Sequence, residues 1–272
     1  MRVMILSSWV MSGHAGLSAA GPALQTLGHV VTQVPMTVLS NHPGWPHVAG
    51  APMPCDQLAG MIEALDRNGW LATQDAVLTG YMPTPEHAEL AAGLIQRLCA
   101  GRNPPLVVVD PVLGDEPKGL YLPHPVAEAV RDHLVPLADI LTPNRFELGW
   151  LSKQEVTTTE DTLSAAETLL HRGPAQDILV TSALAPPRQI GLLSVTHHAP
   201  RVWMVPERVG VPHGVGDVFA ALIAAGLSAG AALGHLQALI RVSLGASHLR
   251  IAECAPRWAR AAAVPSSPFP KP

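Results

Sequence analysis

Four short segments carry side chains suited to phosphate, metal or proton chemistry. Asp110-Pro111-Val112-Leu113-Gly114-Asp115 sets two carboxylates five residues apart, directly after a valine-rich run. Thr142-Pro143-Asn144-Arg145-Phe146-Glu147 follows a second apolar run, and Thr181-Ser182 follows a third. Gly214-Val215-Gly216-Asp217 stands just before a long apolar stretch. Carboxylate oxygens, amides and hydroxyls gathered this way suit Mg²⁺, which binds through a few carboxylates plus retained water and substrate phosphates. The 214–217 segment is the most informative. Two glycines let backbone N–H groups point outward at the mouth of a helix, where the dipole contributes roughly half a positive charge. Asp217 there has a rationale as a general base that takes a proton from a substrate hydroxyl while neighbouring amides hold phosphate charge. The same residue also reads as a simple helix cap.

These segments are useful only if the fold brings them to one place. Short apolar runs at 3–7, 30–34, 76–79, 106–110, 139–141, 178–181, 190–195 and 201–205 suit strands, several apolar on both faces. Helical stretches alternate with them, at 12–27, 56–68, 85–100, 125–134, 144–151 and 159–171, with two strongly apolar helices at 216–229 and 233–249. Asn144 and Glu147 have capping-box spacing. Repeated β-α-β order predicts an α/β fold with a mostly parallel central sheet flanked by helices on both faces. In such a sheet, ligands bind at the carboxyl ends of the strands, where the polar segments fall. A single domain over residues 1–263 is expected, with the proline-rich 264–272 as a disordered tail and the proline-rich 41–54 as a surface loop.

Composition narrows the classes further. The 272 residues are 48% apolar and only 14% charged, against roughly 25% charged in ordinary soluble proteins. That argues against intrinsic disorder. With 17 Lys+Arg against 21 Asp+Glu, no basic excess exists to neutralise a nucleic-acid backbone. No run approaches a membrane span, and the apolar start is broken by Ser7 and Ser8, so it reads as a strand rather than a signal peptide. Three scattered cysteines fit a reducing compartment, with cytoplasm as the default. The phosphate-loop, dinucleotide-fold, zinc-protease and nucleophile-elbow motifs are absent. His197-His198 reads as a surface pair in a strand connection, since adjacent strand residues point to opposite faces.

Taken together, the segments resemble the pyridoxal kinases of the ribokinase-like superfamily. The stretches that carry the resemblance run from residue 3 to about 230. They are Ser8 with Gly13-His14-Ala15-Gly16 and Ser18-Ala19-Ala20; Ser40-Asn41-His42; Gly80-Tyr81; Asp110 to Asp115; Ala138 to Asn144 with Phe146-Glu147; Val180-Thr181-Ser182; and Gly214 to Asp217. The resemblance implies a ribokinase-like three-layer sandwich and ATP-dependent phosphorylation of the 5′-hydroxymethyl group of pyridoxal, usually also of pyridoxine and pyridoxamine. It assigns Asp217 as base, with Gly214 and Gly216 in the anion hole. Asp110, Asp115, Asn144 and Glu147 fall around Mg²⁺ and the nucleotide phosphates, with Asp110, Asp115 and Glu147 as the metal set. Thr181 and Val215 become nucleotide contacts. Ser8 and Tyr81 fall beside the vitamin, with Asp217. The resemblance also implies a homodimer and a monovalent cation such as K⁺ beside Mg²⁺.

The chain departs from the family pattern on the vitamin side. Met36 stands where a threonine is expected, so a hydroxyl is lost, and the neighbouring Thr37 offers a substitute substrate contact. Trp9 and Ser12 replace an expected His and Tyr. Two other readings therefore stand beside the first: a kinase of another hydroxymethyl heterocycle, such as hydroxymethylpyrimidine, and a non-catalytic vitamin carrier. The intact acidic residues argue against a carrier.

Overall fold

The computed structural model describes residues 1–269. Strands β1 (Arg2–Val10), β2 (Val30–Leu39), β3 (Gly50–Pro52), β4 (Ala76–Thr79), β5 (Leu106–Val109), β6 (Gly114–Asp115), β7 (Gly119–Leu120), β8 (Ile140–Leu141), β9 (Asp177–Ala183), β10 (Gln189–Thr196), β11 (Arg201–Pro206) and β12 (Ser267–Pro268) follow the chain. Ten form one sheet, ordered β12-β11-β10-β9-β8-β5-β4-β1-β2-β3, and β6 and β7 form a separate hairpin. The six strands from β2 to β9 in that order, β3 apart, pair in parallel. β10, β11 and β12 continue the sheet antiparallel, and β3 caps the opposite edge.

The helices are α1 (Leu17–Thr26), α2 (Cys55–Arg67), α3 (Pro85–Cys99), α4 (His124–Ala129), α5 (Arg145–Ser152), α6 (Thr159–Arg172), α7 (Val215–Ala224), α8 (Ala229–Ser243) and α9 (Ala255–Trp258). Two cores form, one on each face of the sheet. The first packs α2 to α6 through residues such as Leu58, Ile95, Val126, Leu148 and Leu169 against Met4, Leu6 and Val109. The second packs α1, α7, α8 and α9 through Leu24, Phe219, Leu239 and Trp258 against Val3, Ile5 and Val108. Alternate residues of one strand thus serve opposite cores, as period-two side chains dictate. α7 is buried on nearly every side from Val218 to Ala224, which its all-round apolar sequence requires. This is the three-layer α/β sandwich expected.

Three expectations need correcting. Residues 264–269 are not a free tail. The Val264 N–H donates to Gly230 O at 2.9 Å, and β12 pairs with β11. An edge strand with unpaired backbone groups accepts such a partner even when that partner contains proline. Residues 270–272 of the expected tail lie outside the described residues. The 41–54 loop contains β3, which pairs with the edge strand β2. The first helix starts at Leu17 rather than at 12, because Gly13 and Gly16 take positive φ (86° and 53°) and turn the chain there.

Candidate active site

Strands β1, β4, β5, β8 and β9 end on the same edge of the layered core, and chain order switches sides at β1, where a crevice opens. At this crevice the β1–β2 register shifts between Ser7 and Ser8. Ser7 is only 2% exposed, and its Oγ accepts the Tyr81 N–H at 3.2 Å. Gly80 is required beside it, since a Cβ there would lie 2.6 Å from Ser7 Oγ. A small void lies under the crevice, bounded by Ser7, Gly16, Gly80, Asp110 and Asp217. Ser7, which the sequence reading passed over, therefore faces the two acids. Ser8 packs against the Gly16 turn, where a Cβ would sit 2.2 Å from its carbonyl oxygen.

The N-terminus of α7 reaches this place through Gly214, which caps the helix at φ 94°. A Cβ on Gly214 would meet His14 O at 2.4 Å, so the turn is held tightly against the Gly13–Gly16 region. Gly216 faces open space and lines a cavity with Asp217. Burial raises the pKa of Asp217, while the N–H groups of Gly16 and of Asp217 itself pull it back. A carboxyl with a raised pKa at a helix mouth is the state expected of a proton acceptor.

Opposite α7, the turn after β5 is fastened to α5. Asn144 and Glu147 form the expected capping box: Asn144 Oδ1 accepts the Glu147 N–H at 3.0 Å, and the Asn144 N–H donates to Glu147 Oε2 at 2.9 Å. The same pair reaches across to the acidic turn. Glu147 Oε1 accepts the Leu113 N–H at 2.7 Å, and Asn144 Nδ2 donates to Gly114 O at 2.8 Å. Val112 in that turn has φ 48°, an outlier for a β-branched residue and a strain that such fastening sustains.

The electrostatics are strongly acidic. Burial first, then Glu147 and Asp217, push the Asp110 pKa well above the usual carboxylate range. Burial pushes Glu147 up to about 7, against the pull of its three N–H donors. Burial and then the nearby Asp115 raise Tyr121 as well. Asp115 Oδ1 and Thr142 Oγ1 are buried without hydrogen-bond partners. Among the described residues, no group of three or more His, Cys, Asp or Glu is arranged to hold a metal. Of the expected trio, Glu147 accepts backbone N–H groups with both oxygens, while Asp115 Oδ1 has no hydrogen-bond partner. Two carboxylates fit Mg²⁺, which draws its remaining oxygens from phosphate and water.

A cavity of about 230 Å³ brings Asp110, Asn144, Glu147, Thr181, Gly216 and Asp217 into one wall, together with Val112, Tyr121, Thr142 and Phe219. Thr142 stands in a segment already suspect at the end of β8. Tyr121 had no local signal, being brought in by the β6–β7 hairpin. Gly214 and Val215 carry the turn behind this wall. Tyr81 is half-buried beside Ser7, and burial raises its pKa. Thr37 is not brought in, because its hydroxyl donates to Ala51 O at 2.9 Å across the β2–β3 pair. Met36 is fully buried in the first core, so its difference from the family pattern is a packing matter. His197 and His198 lie exposed between β10 and β11, as expected.

Comparison with known proteins decides the lineage. Residues 13–236 match the family model described as phosphomethylpyrimidine kinase. The chain is 38% identical over 234 residues to the pyridoxine/pyridoxal/pyridoxamine kinase of Bordetella avium, covering 85% of this chain and 79% of that one. The chain belongs to the pyridoxal kinase family. Within that family, the bovine pyridoxal kinase is 34% identical, over 82% of this chain and 76% of its own. The pyridoxal kinase of Leishmania donovani, solved with ADP and pyridoxamine, superposes with TM-score 0.90 at 29% identity, covering 99% of each chain. The fold is the ribokinase-like sandwich of these kinases, and the chain is a kinase whose nucleotide substrate is ATP.

Proposed function

We propose that this kinase transfers the γ-phosphoryl group of ATP to the 5′-hydroxymethyl group of pyridoxal, and of pyridoxine and pyridoxamine, in vitamin B6 salvage. The observation that carries the reading is the shared cavity of Asp217, Gly216, Asp110, Asn144 and Thr181. The hydroxyl oxygen attacks the γ-phosphorus, the bond to the β–γ bridging oxygen breaks, and ADP leaves. Asp217 takes the hydroxyl proton. Its raised pKa favours proton acceptance, and the N–H groups of the 214–217 turn hold phosphate charge at the positive end of α7. Phosphoryl transfer depends mainly on positioning and charge stabilisation, so a rigid turn of this kind suits it.

Asp110 and Asp115 would hold Mg²⁺, with Glu147 and Asn144 fixing the turn that carries them. When bound, the ion would supply charge neutralisation on the triphosphate. Thr181 and Val215 lie on the nucleotide side, and Ser8, Tyr81 and Asp217 on the vitamin side, where Ser7 joins them. The family resemblance adds three further parts to the proposal: a homodimer, a cytoplasmic location and a monovalent cation beside Mg²⁺. Among the described residues, no helix is long and apolar enough to cross a membrane.

The test is direct. Purified protein is mixed with Mg-ATP and pyridoxal, and pyridoxal 5′-phosphate is followed by its absorbance. Product in proportion to enzyme supports the reading. Silence with pyridoxal but transfer to hydroxymethylpyrimidine would replace it with the pyrimidine alternative.

A further inference from the structure

Away from the catalytic cavity, a depression of about 540 Å³ opens where β11, α8 and the chain after α9 meet. Arg208, Arg241, Arg257 and Arg260 line it, and it shares no residue with the cavity around Asp217. Among the described residues, none of these four guanidiniums makes an ion pair or a side-chain hydrogen bond. In a chain of net charge −4 with 17 Lys and Arg, four arginines line one depression that has no Asp or Glu in its lining, a positive concavity that suits an anion.

The walls are rigid. α8 approaches the 261–265 segment so closely that a Cβ on Gly234 would lie 2.1 Å from Ala262 O. The Val264 N–H and carbonyl are both engaged, with Gly230 O at 2.9 Å and Trp203 Nε1 at 3.1 Å. The depression is therefore held open by backbone packing rather than by its own side chains.

We propose that this depression is a binding site for a small anion carrying two or more phosphate charges, separate from the catalytic site. Arginine forks match phosphate oxygens two at a time. The concave shape and volume fall in the range of about 300–1,000 Å³ that holds small molecules, which favours a small anion over a flat macromolecular contact. The arginines are exposed, so the attraction is screened and binding depends on salt.

The test is calorimetric titration of inorganic pyrophosphate into the full chain and, in parallel, into the triple variant R241Q/R257Q/R260Q, in chelator, so that any uptake at the catalytic site is common to both. The expected result is one equivalent bound by the wild type beyond any bound by the variant, with affinity falling about tenfold between roughly 0.02 and 0.2 M salt. The triple variant R241Q/R257Q/R260Q is expected to lose this binding while keeping its melting temperature and pyridoxal turnover. R257Q alone weakens binding several-fold, which supplies a readout should the triple variant fold poorly. Unchanged pyrophosphate binding in these variants, or no uptake by the wild type, overturns the proposal.

Discussion

His42 and His213 stack face to face, with ring centroids 3.8 Å apart and planes 15° from parallel. One ring belongs to the loop after β2, and the other immediately precedes Gly214 at the mouth of α7. His42 Nδ1 accepts the Gly44 N–H at 3.0 Å, so the ring also fixes its own loop. The pair pins the 41–49 loop to the chain just before Gly214. His213→Ala is expected to loosen that loop, raising the KM for pyridoxal several-fold with a smaller change in kcat. Limited proteolysis would then cut within 41–49 faster than in the wild type; equal cleavage and equal KM would remove the pin.

The same pair has a pH consequence. Burial first, then His213 and Lys118, lower the His42 pKa to about 4. A base whose folded pKa is depressed binds its proton more readily when released. The contribution of the closed loop is therefore complete above pH ~6.5 and declines as pH falls toward about 4. Proteolysis of the 41–49 loop should be faster at pH 5 than at pH 7.5, and the His42→Gln variant should lose that difference.

Asp177 allows a stability test far from the chemistry. It opens β9, and burial pushes its pKa up to about 6, although the Ser194 hydroxyl donates to it at 2.8 Å. An acid with a raised folded pKa stabilises the fold only while protonated. Its contribution is complete below pH ~4 and is lost as pH rises through about 6. Asp177→Asn keeps an acceptor for Ser194 and removes the buried charge. The variant should gain about 1–2 kcal/mol at pH 8 and nothing at pH 4. Denaturant melts at the two pH values decide the matter, and a loss of stability at pH 8 would contradict it.

Asp217→Asn separates chemistry from folding. If Asp217 takes the hydroxyl proton, turnover falls by roughly 10²–10⁴-fold, or about 3–5 kcal/mol of barrier. The raised pKa of Asp217 also places the acidic limb of the wild-type kcat/KM profile above the ordinary aspartate range. Steady-state assays across pH would show both effects. Near wild-type turnover in the variant would remove Asp217 from the mechanism, whatever its position.

What could be read in advance was whatever depended on neighbours in sequence. The valine-rich β5, the all-round apolar α7 and the Asn144–Glu147 box are local patterns, and each formed where its pattern stood. Their meeting followed from parallel strands ending on one edge. What stayed hidden depended on distant partners. Ser7 shares the face of Ile5 by strand alternation and so meets Asp110 and Asp217, but which elements cover that face is decided by distant parts of the chain. Tyr121 arrives through a hairpin of two-residue strands anchored on a helix cap about 30 residues later. β3 and β12 are short, proline-containing edge strands whose existence depends on β2 and β11 offering free backbone groups. Thr37 looked like a free hydroxyl until β3 supplied Ala51 as its acceptor.

Gly214 and Gly216 make the last contrast, because they share one turn for different reasons. Gly214 has φ 94° and no room, with His14 O 2.4 Å from where a Cβ would stand. Gly214→Ala therefore combines a left-handed backbone penalty of about 1–2 kcal/mol with a displacement of the turn, and it should lower both melting temperature and turnover. Gly216 has an ordinary backbone and open space at the Cβ position. Gly216→Ala should fold as well as the wild type, or gain up to about 0.5–1 kcal/mol from reduced backbone freedom. Its methyl group enters the space where the turn would hold phosphate, so kcat/KM should still fall at least several-fold. Melting curves and steady-state rates on the two variants separate the roles: full activity in Gly216→Ala would show that phosphate lies elsewhere.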